Sequence, residues 1–177
     1  MTGKEFLNHI AHSKDDFLQV FFNILKKNRI PFCVIGGLAV NAYAEPVVSL
    51  DLDIVVVLEK LEFLISSLKR KKYIVKSFPN SINISSPKSD LRIQIQTDKR
   101  YLPFIRNAVS RKILGYDMQI ARIEDLFQGK IWAAEDEKRR PSKRQKDLAD
   151  ILRLIEKKKS LRSLLPPNLK KLLFEAK

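Results

Sequence analysis

Apolar positions recur along this chain at two spacings, and the changes between them mark the elements. Phe17, Val20, Phe21, Ile24 and Leu25 keep helical spacing. Ser13-Lys14-Asp15-Asp16 precedes them with acids suited to a first helical turn, so a helix is predicted from about Ser13. Pro31 ends the connection, and Phe32 to Ile35 predicts a short buried strand. Gly36-Gly37 turns that strand into a helix through about Ala44, and Pro46 falls in the following loop. Asp51 to Val57 is filled by β-branched residues and predicts a strand. A helix over Leu61 to Lys69 follows, then short strands at Tyr73 to Val75 and Ile82 to Ile84. Leu91-Arg92-Ile93-Gln94-Ile95-Gln96 alternates without a break, which predicts a half-buried strand with Arg92, Gln94 and Gln96 on one face. Lys112 to Leu114 and Met118 to Ile120 flank Gly115-Tyr116-Asp117 as a hairpin. Helices are predicted over Ile123 to Glu135 and from about Lys143 to Lys158, joined by a charged link from Asp136 to Ser142. Pro166-Pro167-Asn168 precedes a last short helix, Leu169 to Glu175. This is an α+β pattern. It divides into an N-terminal helical segment (1–30), a core (31–122) and a helical C-terminal part (123–177).

The 177 residues suit one domain with a small appendage, and an apolar fraction of 45% can build a core. Net charge is +14 with a pI near 9.9, which favours a polyanionic partner or anionic substrates. The excess is densest late in the chain, where residues 136–177 hold 14 Lys/Arg against 6 Asp/Glu. The single cysteine, Cys33, lies in an apolar run and has no internal disulfide partner. The N-terminus lacks an apolar signal core, and the longest strictly apolar run, Ile54 to Leu58, is too short to cross a bilayer. The expectation is a soluble cytoplasmic protein with no membrane partner.

Two aspartates carry the strongest chemical signal. Asp51 and Asp53 alternate with Leu52 on the predicted strand, so they point to the same side with Cα atoms roughly 7 Å apart. Like charges that close repel, and a shared cation relieves them. Carboxylate oxygens suit Mg²⁺, which completes its shell with water and substrate phosphates. The Gly36-Gly37 turn offers free backbone N–H groups and lets a phosphate approach the chain. On the later helix Lys130 falls within the apolar stripe of Ile123, Leu126, Phe127, Ile131 and Ala134. An inward ammonium needs an anionic partner, either a triphosphate or a carboxylate of the protein, unless it snorkels to solvent. On the next helix the stripe is Leu148, Ile151, Leu152 and Ile155. Arg144 lies on that face, Asp147 at its edge, and Lys146 and Asp150 point more outward.

Gly36-Gly37-Leu38-Ala39-Val40 followed by Ser49-Leu50-Asp51-Leu52-Asp53 resembles the active-site motif of the nucleotidyltransferase superfamily, whose fold is shared with DNA polymerase β. Ile123-Glu124-Asp125-Leu126-Phe127-Gln128-Gly129-Lys130 and Lys143-Arg144-Gln145-Lys146-Asp147-Leu148-Ala149-Asp150 resemble the later motifs of its AbiEii-like branch. The resemblance spans roughly residues 31 to 155. It implies a nucleotidyltransferase-like mixed sheet flanked by helices, with a helical C-terminal part. It implies transfer of a nucleoside monophosphate from an NTP to an acceptor, with Mg²⁺ or Mn²⁺. Asp51 and Asp53 would bind metal. Gly36, Gly37, Ser49, Lys130 and Arg144 would bind nucleotide, and Asp147 would orient Lys130 or act as base. Several members of that branch are toxins of toxin–antitoxin pairs, some modifying tRNA ends. The implied partners are therefore an NTP, a tRNA or other RNA acceptor, and a cognate antitoxin or a second copy.

Two departures from that pattern bear on activity. The third carboxylate of polymerase-β-like sites is expected on the strand Leu91 to Gln96, where Gln94 stands. An amide accepts a hydrogen bond or a metal but is no base at neutral pH. Val47 occupies the place of an arginine usually found before the Ser/Thr. The alternative is therefore a catalytically inactive nucleotidyltransferase-like protein that binds nucleotide or a partner. Elsewhere, His9 and His12 lack zinc-ligand spacing and are expected on a helix surface. Ser66-Ser67 and Ser85-Ser86 have no base partner. Trp132 and Tyr101 are expected to pack rather than stack a base. Leu161, Leu164, Leu165, Leu169, Leu172, Leu173 and Phe174 form an apolar tail that docks on the domain or offers a partner surface.

Overall fold

The computed structural model describes residues 1–175. A seven-stranded sheet runs β3-β4-β5-β2-β1-β7-β6. Its strands are β1 (Phe32–Ile35), β2 (Asp51–Val56), β3 (Ile74–Phe78), β4 (Ser81–Ser86), β5 (Ser89–Gln96), β6 (Val109–Ile113) and β7 (Tyr116–Ile120). It is a mixed sheet. β2 runs parallel to β5 and β1 parallel to β7, while the other neighbours are antiparallel. The helices are α1 (Gly3–Ile10), α2 (Phe17–Lys27), α3 (Gly36–Val40), α4 (Leu61–Arg70), α5 (Ile123–Glu135), α6 (Pro141–Lys157) and α7 (Pro167–Phe174).

The central strands separate two faces by simple alternation. Leu52, Ile54 and Val56 point to one side of β2 and are almost wholly buried. Phe32 pairs with Val56 across β1, and its ring lies 5.7 Å from that of Phe22 on α2. α2 therefore covers this face with Phe17, Leu18, Phe21, Phe22 and Leu25. Asp51 and Asp53 point to the other side, where α5 and α6 pack against each other and α3 joins them. At Gly129 of α5 a Cβ would lie 3.0 Å from the Tyr101 ring, so the missing side chain lets Tyr101 approach the helix. Tyr101, Phe104 and Trp132 form a contiguous aromatic cluster, the packing role expected of Tyr101 and Trp132. In the tail Leu161, Leu165 and Leu169 are buried against the domain, whereas Leu164, Leu172 and Phe174 stay exposed.

Several local expectations shift. α1 is an additional helix, started by a capping box in which Thr2 and Glu5 exchange hydrogen bonds. α2 begins at Phe17 with Asp16 as its cap, not at Ser13, whose hydroxyl bonds Ser89 instead. His9 is exposed on α1, but His12 lies beyond that helix at φ 46°. α3 closes at Val40 rather than Ala44. β3 begins one residue after Tyr73 and runs on to Phe78. Pro141 opens α6, because proline at a first helical position forfeits no hydrogen bond. Three short 3₁₀ segments, Leu58–Lys60, Lys99–Ile105 and Lys159–Leu164, occupy stretches for which no element is predicted. Among the described residues, no helix is long and apolar enough to cross a membrane.

Candidate active site

The parallel register of β2 and β5 builds the floor of the site. Asp51 lies beside Arg92 and Asp53 beside Gln94, and the next step of the ladder brings Asn83 of β4 beside Gln94. All of these side chains share one face, because each strand contributes alternate residues. Gln94 thus stands directly beside Asp53 in the ladder. The Asn83 side-chain oxygen is buried without a hydrogen-bond partner.

Gly36 fits this floor for two reasons. Its φ of 72° lies in the left-handed region, which costs an L-residue about 1–2 kcal/mol. A Cβ there would also overlap Asp53 Oδ2 and lie 2.8 Å from the Asp53 Cβ and Cγ atoms. The backbone at the start of α3 therefore rests directly on the Asp53 carboxylate. Gly37 has no such neighbour, with nothing within 4 Å of its would-be Cβ.

The two aspartates sit in different electrostatic settings. Asp51 Oδ1 is 2.9 Å from Arg92 Nε, and its Oδ2 accepts from Lys143 Nζ at 3.3 Å. The Asp53 carboxylate makes no hydrogen bond or ion pair among the described residues, although its backbone lies within the ladder. Desolvation holds its carboxyl above the usual carboxylate range, opposed by the nearby Lys130 charge and reinforced by Asp51. Ser49 lies just ahead, its hydroxyl bonded to the backbone of Asp51.

Lys130 forms the roof. It is only 8% exposed, and its Nζ lies 2.9 Å from Asp147 Oδ1 and 2.6 Å from Asp150 Oδ2. These two charges and their hydrogen bonds outweigh the desolvation of the ammonium, and its pKa is raised. The second Asp147 oxygen takes Arg139 Nε at 2.5 Å. Asp150 does not point outward as its helical angle suggested. It is 8% exposed and bridges Lys130 to Arg153, whose Nη1 lies 2.6 Å from Asp150 Oδ1. The buried side of α6 is Asp147, Asp150, Ile151, Leu154 and Ile155. That stripe is turned from the one centred on Leu148 and Leu152, because Asp147 and Asp150 lie three apart and share a face. Arg153 Nη2 reaches on to Asn41 Oδ1 at 3.0 Å and to the Glu45 carbonyl. Asn41 in turn brackets Val47 through both backbone groups. An ionic chain thus runs from Lys130 to the loop that delivers Ser49 and Asp51.

Between floor and roof a cavity of about 70 Å³ is lined by Gly36, Asp53, Gln94, Lys130, Arg139 and Asp147, with Tyr101 and Phe104 at one end. A pocket enclosing a small-molecule ligand measures roughly 300–1,000 Å³. This cavity suits phosphate or metal-bound oxygens, not a whole nucleotide. Arg144 lies outside it and donates to the Ala134 carbonyl at 2.9 Å, while Arg139, from the charged link, lies inside. Gly37 and Ser49 flank the cavity without lining it. Sequence reasoning overlooked Arg92, Arg139, Lys143, Asp150 and Arg153. The spacing of Asp147, Asp150 and Arg153 at i, i+3 and i+6 was the available signal for the last part of this set. Among the described residues, no group of three or more His, Cys, Asp or Glu side chains is placed to hold a metal ion.

No protein-family model and no curated protein matches the chain. Solved structures do. The antibiotic-resistance factor ANT(2'')-Ia superposes with a TM-score of 0.57 at 11% identity, over 88% of this chain and 86% of that one. The lincosamide antibiotic adenylyltransferase LnuA, solved with lincomycin bound, gives 0.56 at 10% identity, over 80% and 98%. An antigenic nucleotidyltransferase-like protein from Paracoccidioides brasiliensis gives 0.53 at 15% identity, over 96% and 97%. The mixed sheet flanked by helices in this chain is therefore the nucleotidyltransferase fold.

Proposed function

We propose that the protein transfers a nucleoside monophosphate from an NTP to a hydroxyl acceptor. The observation that carries this reading is the apposition of Asp53, unpaired and pressed against Gly36, with Lys130 on the opposite wall of one cavity. A half-buried carboxylate without a hydrogen bond is costly, so a fold that keeps one has a use for it.

Asp51, Asp53 and the amide oxygen of Gln94 form a hard oxygen set that fits Mg²⁺ or Mn²⁺. When bound, such an ion would screen the charge of the reacting phosphates. The chain's own residues do the rest. The first N–H groups of α3, at Gly36 and Gly37, have no partner within the helix and meet phosphate oxygens. Lys130 and Arg139 face the same cavity, and the Lys143 ammonium approaches from α6. Their charges stabilise the pyrophosphate that leaves as its bond to the α-phosphorus breaks. The acceptor oxygen forms the new bond to that phosphorus and gives up its proton. Asp147 is committed to Lys130 and Arg139 through both oxygens, so it orients these cations. Asp53 would hold the ion and so is not free to act as base, and the acceptor's proton leaves to water at the open side of the cavity.

On this reading the nucleoside and the acceptor lie on the open rim, which the basic charge and the small enclosed volume support. RNA, with tRNA favoured, is the acceptor we assign. A toxin role of the AbiEii-like kind, with Mg²⁺ and an antitoxin, completes that reading. The similar ANT(2'')-Ia has been solved with adenylyl-2''-tobramycin, so a hydroxylated small molecule belongs in the same acceptor screen. Gln94 beside Asp53 favours the second reading, a nucleotide-binding protein without transfer. Calorimetric titration with each NTP and Mg²⁺ tests what both share. Binding to wild type that is lost in Asp53→Asn supports the site, and equal binding by both removes it.

A further inference from the structure

The corner around Asp51 carries a charge arrangement that the fold alone does not require. Both oxygens of Asp51 are taken by cationic side chains, Arg92 Nε at 2.9 Å and Lys143 Nζ at 3.3 Å. Arg92 comes from the same strand as Gln94, two residues before it, and faces Asp51 directly across the ladder. Lys143 comes from the first turns of α6. One carboxylate therefore meets two cations, and with Asp53 beside it the corner is close to neutral before any ion enters. A pair of divalent ions held about 4 Å apart needs carboxylates to bridge them. Here the third ligand is the neutral Gln94, and no further acidic side chain joins the pair among the described residues.

We propose that this site takes a single divalent ion, at Asp53 and Gln94 with a share of Asp51, and that Arg92 and Lys143 supply the positive charge a second ion would bring. The inference rests on the reading of Asp51 and Asp53 as metal ligands. A second ion would crowd against the two cations already at Asp51 with no carboxylate to bridge it, which Coulomb repulsion opposes. The two side chains also compete with the first ion for Asp51. Arg92 and Lys143 are 64% and 38% exposed as side chains, so each pair with Asp51 is of the weak, solvent-screened kind. Removing either cation should then tighten ion binding about two- to fivefold.

The test is a titration of the full chain with Mn²⁺ alone, followed by electron paramagnetic resonance of the free ion. Wild type should bind one Mn²⁺. Arg92→Gln and Lys143→Gln should each bind one ion more tightly by that factor. Gln94→Asp combined with Arg92→Gln should gain a second ion. Both substituted cations are surface side chains, and circular dichroism verifies that each variant folds. Two ions on wild type would overturn the inference and leave the metal assignment standing, as would affinities unchanged in both single variants. Mn²⁺ binding that survives Asp53→Asn undiminished would instead overturn the assignment beneath it.

Discussion

Substituting Gly36 by alanine tests how tightly the backbone and the Asp53 carboxylate are matched. The residue is at φ 72°, which costs an alanine about 1–2 kcal/mol. The new Cβ would overlap Asp53 Oδ2 and lie 2.8 Å from two further atoms of that side chain, too close for any real contact. Relieving such a clash in a packed site costs typically about 1–3 kcal/mol. The sum is about 2–5 kcal/mol, and at this chain length each kcal/mol lowers Tm by about 2–4 °C. Relieving the clash moves the carboxylate or the backbone that rests on it, so ion binding should weaken along with stability. Gly37→Ala is the internal control. Nothing lies within 4 Å of its would-be Cβ, and glycine inside a helix costs about 0.5–1 kcal/mol relative to alanine. That variant should be as stable as wild type or more so. Urea unfolding of both variants, with Mn²⁺ binding measured beside it, decides the matter. A Gly36→Ala protein with wild-type stability and wild-type Mn²⁺ affinity would refute the packing argument.

Other consequences follow from the same geometry. Asp147 is 2% exposed and holds Lys130 and Arg139, so Asp147→Ala leaves the buried ammonium to Asp150 alone and should cost about 1–3 kcal/mol in urea unfolding; no measurable loss would show that the roof does not depend on it. The Asp53 carboxyl is raised by desolvation, so the native state holds its proton more strongly than the unfolded chain does. Its charging therefore costs stability as pH rises through the native pKa, and Asp53→Asn should be more stable than wild type at pH 7 with the gain shrinking towards pH 4. Equal gains at both pH values would contradict this assignment. Burial, reinforced by Asp125, pushes the Cys33 thiol up to about 12, so iodoacetamide at pH 8 should modify it only as fast as the protein unfolds. Labelling at the rate of a free thiol in the folded protein would contradict that burial.

The floor of the site is legible in the chain because strands repeat every two residues. Asp51 and Asp53 on one face, and Gln94 on the polar face of its strand, follow from alternation, and the β2–β5 register places Gln94 beside Asp53. The roof is less legible. Lys130 within an apolar stripe announces an anionic partner, but the identity of that partner depends on how α6 is turned against α5. A shift of the stripe by part of a turn moves Asp150 from solvent to the Lys130 ammonium. Arg139 lies in a link with no periodicity, so its place in the cavity depends on tertiary packing alone. Arg92 reads as an ordinary polar residue on a half-exposed strand until the parallel pairing sets it against Asp51. The missed α1 is a different case, since Thr2 and Glu5 spell its capping box in the sequence itself.

The central claim is transfer of a nucleoside monophosphate from the aspartate site. The direct measurement is incubation with each α-labelled NTP and Mg²⁺, offering bulk tRNA, the protein itself and a hydroxylated aminoglycoside as acceptors. Wild type should be compared with Asp53→Asn, which is expected to fold at least as well. Label appearing in one acceptor with wild type and absent with Asp53→Asn is the predicted result, and it names the nucleotide and the acceptor class together. Label transferred equally by both proteins, or by neither despite NTP binding, would contradict the account.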